Sequence, residues 1–171
     1  MPSLTLRPIT IDDIPFLEVL HCDHEYAFFA VDRIPTRAEL AADIGQPGID
    51  YRIVRDEVGP AGWVRLDHDT ANGTAALGYG FDRRCWGRGY ATAAVREIVD
   101  DAFRSPVLHK IWARVDPRNV GSMRVLEKAG FRLEGVLESH FVRRGERVDR
   151  AMFGLTRTNW AATAPIAQTS H

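Results

Sequence analysis

A chain of 171 residues, 45% hydrophobic and 26% charged, has the length of one ordinary domain and enough apolar side chain to bury a core. Its 22 basic and 23 acidic side chains leave a formal charge of -1, which argues against a whole-surface attraction to nucleic acid or to an anionic membrane. Two cysteines, Cys22 and Cys85, are too few for a disulfide framework, and no stretch resembles a signal peptide or a membrane span of ~18 apolar residues, so a soluble cytoplasmic protein with reduced thiols is expected.

In chain order, residues 4–8 read as a short strand stopped by Pro8. Ile14, Leu17 and Leu20 recur at helical spacing over residues 12–22, with Asp12 as cap. Thr36-Arg37-Ala38-Glu39 is a capping box for a second short helix, which carries Leu40 and Ile44 on one face and ends near Gly45. Residues 21–35 between these helices mix His, Asp, Glu, Tyr and Phe, the composition of a loop or short helix beside a site. Residues 51–55 and 61–66 alternate as strands around a turn at 56–60, and 67–73 make a second turn. Residues 75–81 form a central strand, in which Gly78 and Gly80 mark a bulge or a close backbone approach.

A helix over 90–104 follows, with Ala91, Ala94, Val95, Ile98, Val99, Ala102 and Phe103 as its packing stripe. Residues 110–115 are a strand. Asp116-Pro117-Arg118-Asn119 leads into a helix over 120–129, stopped by Gly130. Residues 131–137 and 148–156 close the pattern as strands paired through Arg144-Gly145-Glu146. One domain over 1–160 and a disordered tail over 161–171 are expected.

The stretch Trp86-Gly87-Arg88-Gly89-Tyr90-Ala91-Thr92 joins the central strand to the amphipathic helix. Glycines there let the backbone turn tightly, the first-turn N–H groups point outward with the helix dipole behind them, and Arg88 adds a cation, which is chemistry for a phosphorylated ligand. The same glycines also serve as plain turn residues. No Gly-Lys pair exists for a nucleotide-triphosphate loop, and Thr92 stands where a dinucleotide fingerprint needs its third glycine. His21, Cys22, Asp23, His24 and Glu25 form a dense run of ligand types with no second cluster at ligand spacing, so no metal is expected.

With that turn, the segment Asp116-Pro117-Arg118-Asn119-Val120-Gly121-Ser122-Met123-Arg124-Val125-Leu126-Glu127-Lys128-Ala129-Gly130-Phe131 resembles the GCN5-related N-acetyltransferases (GNAT). The likeness runs from Leu6-Arg7-Pro8 to Trp160. It is strongest to the RimJ/RimL ribosomal-protein N-acetyltransferase branch, which Leu133-Glu134-Gly135-Val136-Leu137 also fits. It implies an α/β fold, a mixed, mostly antiparallel sheet of about seven strands flanked by about four helices. It also implies acetyl-CoA as acetyl donor.

The family motif Gln/Arg-x-x-Gly-x-Gly/Ala maps onto Trp86-Gly87-Arg88-Gly89-Tyr90-Ala91, with Trp86 departing from the usual first residue. By resemblance, backbone groups of Gly87, Arg88, Gly89, Tyr90, Ala91 and Thr92 hold the pyrophosphate, while Tyr79, Gly80 and Phe81 run beside the pantetheine and hold the acetyl carbonyl. Asn119, which on its own reads as an N-cap, would contact the pantetheine arm. Ser122, otherwise a capping partner or an exposed hydroxyl, would protonate the leaving thiolate.

Many members carry Glu in the fourth strand, whereas Ala75-Ala76-Leu77-Gly78-Tyr79 has Ala76 there and so no base. Glu138 and His140 are the favoured substitutes, with Asp67, His68, Glu25 and His24 behind them. The implied acceptor is an amine, either a protein N-terminus or a small molecule such as a polyamine. Asp23, Glu25 and Asp32 would suit a cation. Loss of the strand carboxylate leaves an acyl-CoA-binding sensor as the alternative. A monomer or homodimer without nucleic-acid or membrane contacts is expected, the basic hairpin of Arg143, Arg144 and Arg147 being a soluble turn.

Overall fold

The structure is a computed structural model that describes residues 3–30 and 33–163. Its strands are β1 (Thr5–Pro8), β2 (Ile49–Arg55), β3 (Pro60–Asp69), β4 (Thr74–Phe81), β5 (Lys110–Val115), β6 (Arg132–Arg143) and β7 (Glu146–Thr156). Its helices are α1 (Ile14–Cys22), α2 (His24–Ala30), α3 (Arg37–Ala42), α4 (Tyr90–Phe103), α5 (Val120–Lys128) and α6 (Arg157–Thr163). One sheet orders the strands β1-β2-β3-β4-β5-β7-β6. All neighbours are antiparallel except β4 and β5, so the expected mixed sheet is present.

Two apolar cores cover the two faces. On one, Leu66, Leu77, Val95, Ile98, Phe103, Ile111 and Phe153 pack under α4 and α5. On the other, Ile9, Ile14, Leu17, Leu40 and Ile53 pack under α1 and α3. Ala94, Val95, Ile98, Val99 and Phe103 of α4 are buried as the stripe predicts, each large one stabilising the fold by about 1.5–3 kcal/mol. The capping box of α3 is made: Glu39 N–H donates to Thr36 Oγ1, and Thr36 N–H to Glu39 Oε2.

The structure sharpens the sequence expectations at several places. Where about four helices are expected, the described residues form six, α2 and α6 being short ones. Of the two readings of the mixed segment after Cys22, loop or short helix, the chain takes the helix over α2, because Asp23 Oδ1 accepts from Glu25 N–H and Tyr26 N–H (3.0 and 2.9 Å) and so starts the turn. The chain enters α1 through a 3-10 turn at Ile11–Asp13, where Asp13, not Asp12, accepts from Thr10 N–H (2.9 Å) and pairs with Arg7 (2.7 Å).

Strand β6 reaches Arg143 rather than stopping at residue 137, since bulges after Leu133 and Leu137 absorb the extra residues. At the chain's end α6 carries past Trp160 to Thr163. Trp160 stacks on Phe103 at 5.1 Å, and Arg157 donates to the carbonyls of Phe103 and Leu108 (2.8 and 2.9 Å). Residues 164–171 of the expected tail lie outside the described residues.

The feature that makes a site is the parallel seam. β4 and β5 pair only at Thr74–Lys110, Ala75–Ile111 and Ala76–Trp112. Beyond Ala76, β4 runs on to Phe81 along β3 alone, so its other edge lies open between the sheet's two halves.

Candidate active site

Backbone alternation fixes which groups line that opening. Asp82 N–H donates to Ala61 O (2.9 Å), which sets the hydrogen-bonded register of β3 and β4. Two residues earlier, Gly80 likewise turns its N–H to β3. Tyr79 and Phe81 therefore turn theirs toward the opening. The Phe81 carbonyl accepts from Trp86 Nε1 (2.9 Å), so the unusual first motif residue closes the end of β4.

The turn that follows needs glycine at two places. Gly87 and Gly89 have φ of 70° and 83°, left-handed values that other residues adopt only under strain. Gly89 is the N-cap of α4 and has no side chain to cap it, which leaves the first-turn N–H groups of Tyr90, Ala91 and Thr92 outward-facing. The Arg88 guanidinium stacks 5.5 Å from the Tyr90 ring centre and is exposed.

Asp56, in the β2–β3 turn, clamps this loop. It accepts from Arg84 Nη1 (2.6 Å), Tyr90 Oη (3.0 Å) and the N–H groups of Val58 and Gly59 (2.9 and 3.0 Å). The Arg84 bonds hold its carboxyl well below the usual carboxylate range. Cys85 is buried beside the turn, and burial pushes its thiol up, so it is the inert kind of cysteine.

Across the opening stands the start of α5. Asn119 caps it, its Oδ1 accepting from Ser122 N–H (3.0 Å), with its amide nitrogen left to donate elsewhere. Ser122 Oγ lies 2.7 Å from Tyr79 Oη, and that phenol also donates to the Ser122 carbonyl (3.1 Å). Burial pushes the Tyr79 phenol up to about 12, so the pair holds its protons at neutral pH. The sequence placed Tyr79 and Ser122 in one site without this bond.

On the opposite face α2 lies across β4. Trp63 Nε1 donates to Tyr26 Oη (3.0 Å), and both side chains press on Gly80. His21 is buried against Tyr26 (ring centres 5.3 Å apart), with Nδ1 2.7 Å from the Leu17 carbonyl, and burial pulls its pKa down. The C-terminal end of α2 is tied by Arg143 to Phe28 O (3.3 Å) and by Arg144 to Ala27 O (3.4 Å). A cleft of about 240 Å³ opens beside Tyr26, Trp63, Tyr51, Glu39 and Asp43.

Glu138 and His140 are exposed on the second bulge of the edge strand β6, around Ser139 (φ 48°), whose N–H donates to Asp149 (2.8 Å). The bulge lies past the end of β5, at the same end of the sheet as Phe81. Among the described residues no bond joins either one to Tyr79 or Ser122. Glu25 pairs with Arg83 (3.3 Å), Asp67 with Arg65 (2.6 Å), and His24 is exposed. No group of three metal-ligating side chains occurs among the described residues, and no helix there is long and apolar enough to cross a membrane.

The residues present fit a pantetheine pyrophosphate: an open strand edge for an amide-bearing arm, then two left-handed glycines and an uncapped helix start for the anion. Comparison with known proteins agrees. The acetyltransferase (GNAT) domain family matches residues 3–132. An N-acetyltransferase of Bacillus licheniformis, p20, of uncharacterized activity, is 32% identical over 171 residues, covering 92% of this chain and 95% of that one. A probable N-acetyltransferase of Bacillus subtilis, YjcK, is 57% identical over 63 residues, 37% of this chain and 35% of its own.

Among solved structures, the spermidine N-acetyltransferase from Vibrio cholerae in complex with CoA and spermine superposes with a TM-score of 0.82 at 22% identity, covering 92% of this chain and 98% of that one. The ribosomal-protein-S5-alanine acetyltransferase from Vibrio fischeri gives 0.81 at 22% identity, over 94% and 96% of the two chains. At that identity these two show the shared fold. The chain belongs to the GNAT acetyltransferase family, with acetyl-CoA as its acetyl donor.

Proposed function

We propose that the protein acetylates a primary amine, on a small molecule or a protein N-terminus, by direct attack within a ternary complex. The observation that carries this reading is the open edge of β4 between the Gly87–Gly89 turn and the Tyr79–Ser122 pair. The RimJ/RimL branch is the finer family reading, supported by the S5-alanine acetyltransferase fold. The cytoplasm, where Cys22 and Cys85 stay reduced, is the proposed compartment, with a monomer or homodimer as the working form.

Acetyl-CoA supplies the acyl thioester. The chain's own groups bind and orient. Backbone N–H groups from Gly87 through Thr92, with Arg88, take the pyrophosphate, and Asn119 donates to the pantetheine arm. Tyr79, Gly80 and Phe81 flank that arm, and the N–H groups of Tyr79 and Phe81 face the carbonyl, where charge develops during acyl transfer. Ser122, backed by Tyr79, holds a proton for the thiolate. The amine's proton goes to Glu138 or His140 at the rim, the role that Ala76 cannot fill.

The test is incubation of the protein with acetyl-CoA and an amine panel of polyamines, amino acids and N-terminal peptides, with thiol release and acetylated product both measured. Transfer to an amine is the expected result. Coenzyme A binding by calorimetry without transfer to any amine would make the chain an acyl-CoA sensor instead. No binding would remove the cofactor assignment.

A further inference from the structure

We infer that the Tyr26 hydroxyl is a catalytic hydrogen-bond donor to the reacting acyl oxygen, reaching it across Gly80 from the face opposite α4. The inference rests on the reading that the acyl group lies along the open edge of β4.

Three observations converge. Tyr26 is 6% exposed, and its oxygen already accepts from Trp63 Nε1 at 3.0 Å. That bond turns the phenol's own O–H away from the indole, yet among the described residues this O–H has no acceptor. With a cleft of about 240 Å³ beside Tyr26, that proton is available to water or to a ligand lying along β4 at Gly80.

Gly80 supplies the second observation. Its φ is not left-handed, so backbone conformation does not require glycine there. Space does: a Cβ on Gly80 would stand 2.4 Å from Tyr26 Oη and 2.8 Å from Trp63 Nε1. The glycine exists to let the phenol touch the strand. It touches between Tyr79 and Phe81, whose N–H groups line the opening.

Third, Tyr26 is held in place. Asp23 caps its backbone N–H (2.9 Å), Arg143 and Arg144 tie the far end of α2 (3.3 and 3.4 Å), and His21 packs edge-on against its ring. Burial drives the phenol's pKa upward, so it donates without ionising.

In the transfer the amine nitrogen bonds the acyl carbon, the carbon–sulfur bond breaks, and its electron pair leaves on sulfur. Tyr26 keeps its proton throughout and donates to the oxygen on which charge builds between those events. The amine's proton leaves to Glu138 or His140 at the rim, and the thiolate takes its proton from Ser122.

Tyr26→Phe removes one oxygen and keeps the ring. The expected result is a fall in kcat of about 100-fold, the scale of losing one such donor, with the KM for acetyl-CoA and the calorimetric affinity for coenzyme A within twofold. Trp63→Phe, which leaves the phenol but not its orientation, should fall less. A Tyr26→Phe enzyme whose kcat stays within twofold overturns the inference while leaving the amine acetyltransferase reading intact. If that variant does not fold, fluorotyrosines of stepwise lower pKa at position 26 decide: kcat that tracks phenol acidity supports the role, and a flat response overturns it. A wild-type protein that transfers to no amine overturns both.

Discussion

The two sides of β4 are built from different materials. On the α4 side the groups proposed to face the ligand are main chain: N–H groups of an open strand edge, two left-handed glycines and an uncapped helix start. On the α2 side the wall is made of side chains: Tyr26, Trp63 and His21, set by packing from three separate elements. A backbone cradle depends on the fold and on glycine spacing, so many sequences can preserve it. A side-chain wall depends on particular residues, so a single substitution can change it. The difference teaches where to look for the donor and where to look for the acceptor.

The largest effect should come from breaking the backbone side. Gly89→Asp forces a residue with a Cβ into φ of 83° and sets a carboxylate at the anion site. Coenzyme A affinity by calorimetry should weaken by about 100-fold or more, with the far-ultraviolet circular dichroism unchanged. Unchanged affinity would refute the cofactor assignment. Ser122→Ala comes next and probes the boundary between the two sides. We expect kcat to fall about tenfold with coenzyme A affinity retained, and Tyr79→Phe to add little on top, because both act through one bond.

The rim is the third test. Glu138→Gln with His140→Gln should lower kcat/KM severalfold at neutral pH; an unaltered double variant moves the amine's proton to water or to a residue of the α2 wall. The smallest effect is on stability. Arg84 holds the Asp56 carboxyl below the ordinary carboxylate pKa of ~3.9, so the clamp's contribution is complete above that pH and is lost as pH falls through the folded value. Asp56→Asn should lower Tm by a few degrees at pH 7 and shrink the wild-type fall in Tm below about pH 4. An unchanged acid slope would show that other paired carboxylates, such as Asp13 and Asp116, dominate it.

What could be read from sequence follows the same division. Gly87 and Gly89 are legible because left-handed φ strongly favours glycine. Thr36, Glu39 and Asn119 are legible because capping is decided within three residues. The α4 stripe is legible from its period. The Tyr26–Trp63 bond joins residues 37 positions apart, and the Asp56–Arg84 pair spans 28, so neither leaves a local pattern. Gly80 was the one visible trace of the first: a strand glycine signals a close approach without saying by what. α2 stayed ambiguous because its apolar and polar residues both face contacts. The bulges of β6 insert residues that periodicity alone cannot count.

The three-rung seam between β4 and β5 has a consequence of its own. A sheet with so few rungs at its middle is two leaves sharing a spine, the meander β1–β4 on one side and β5, β7 and β6 on the other. An elongated ligand whose amides lie along the open edge acts as a substitute strand, and its binding energy adds to the cohesion of the leaves. Occupancy and architecture are then linked quantities. A ligand seated along that edge should therefore raise Tm, by an amount that grows with its concentration over its Kd.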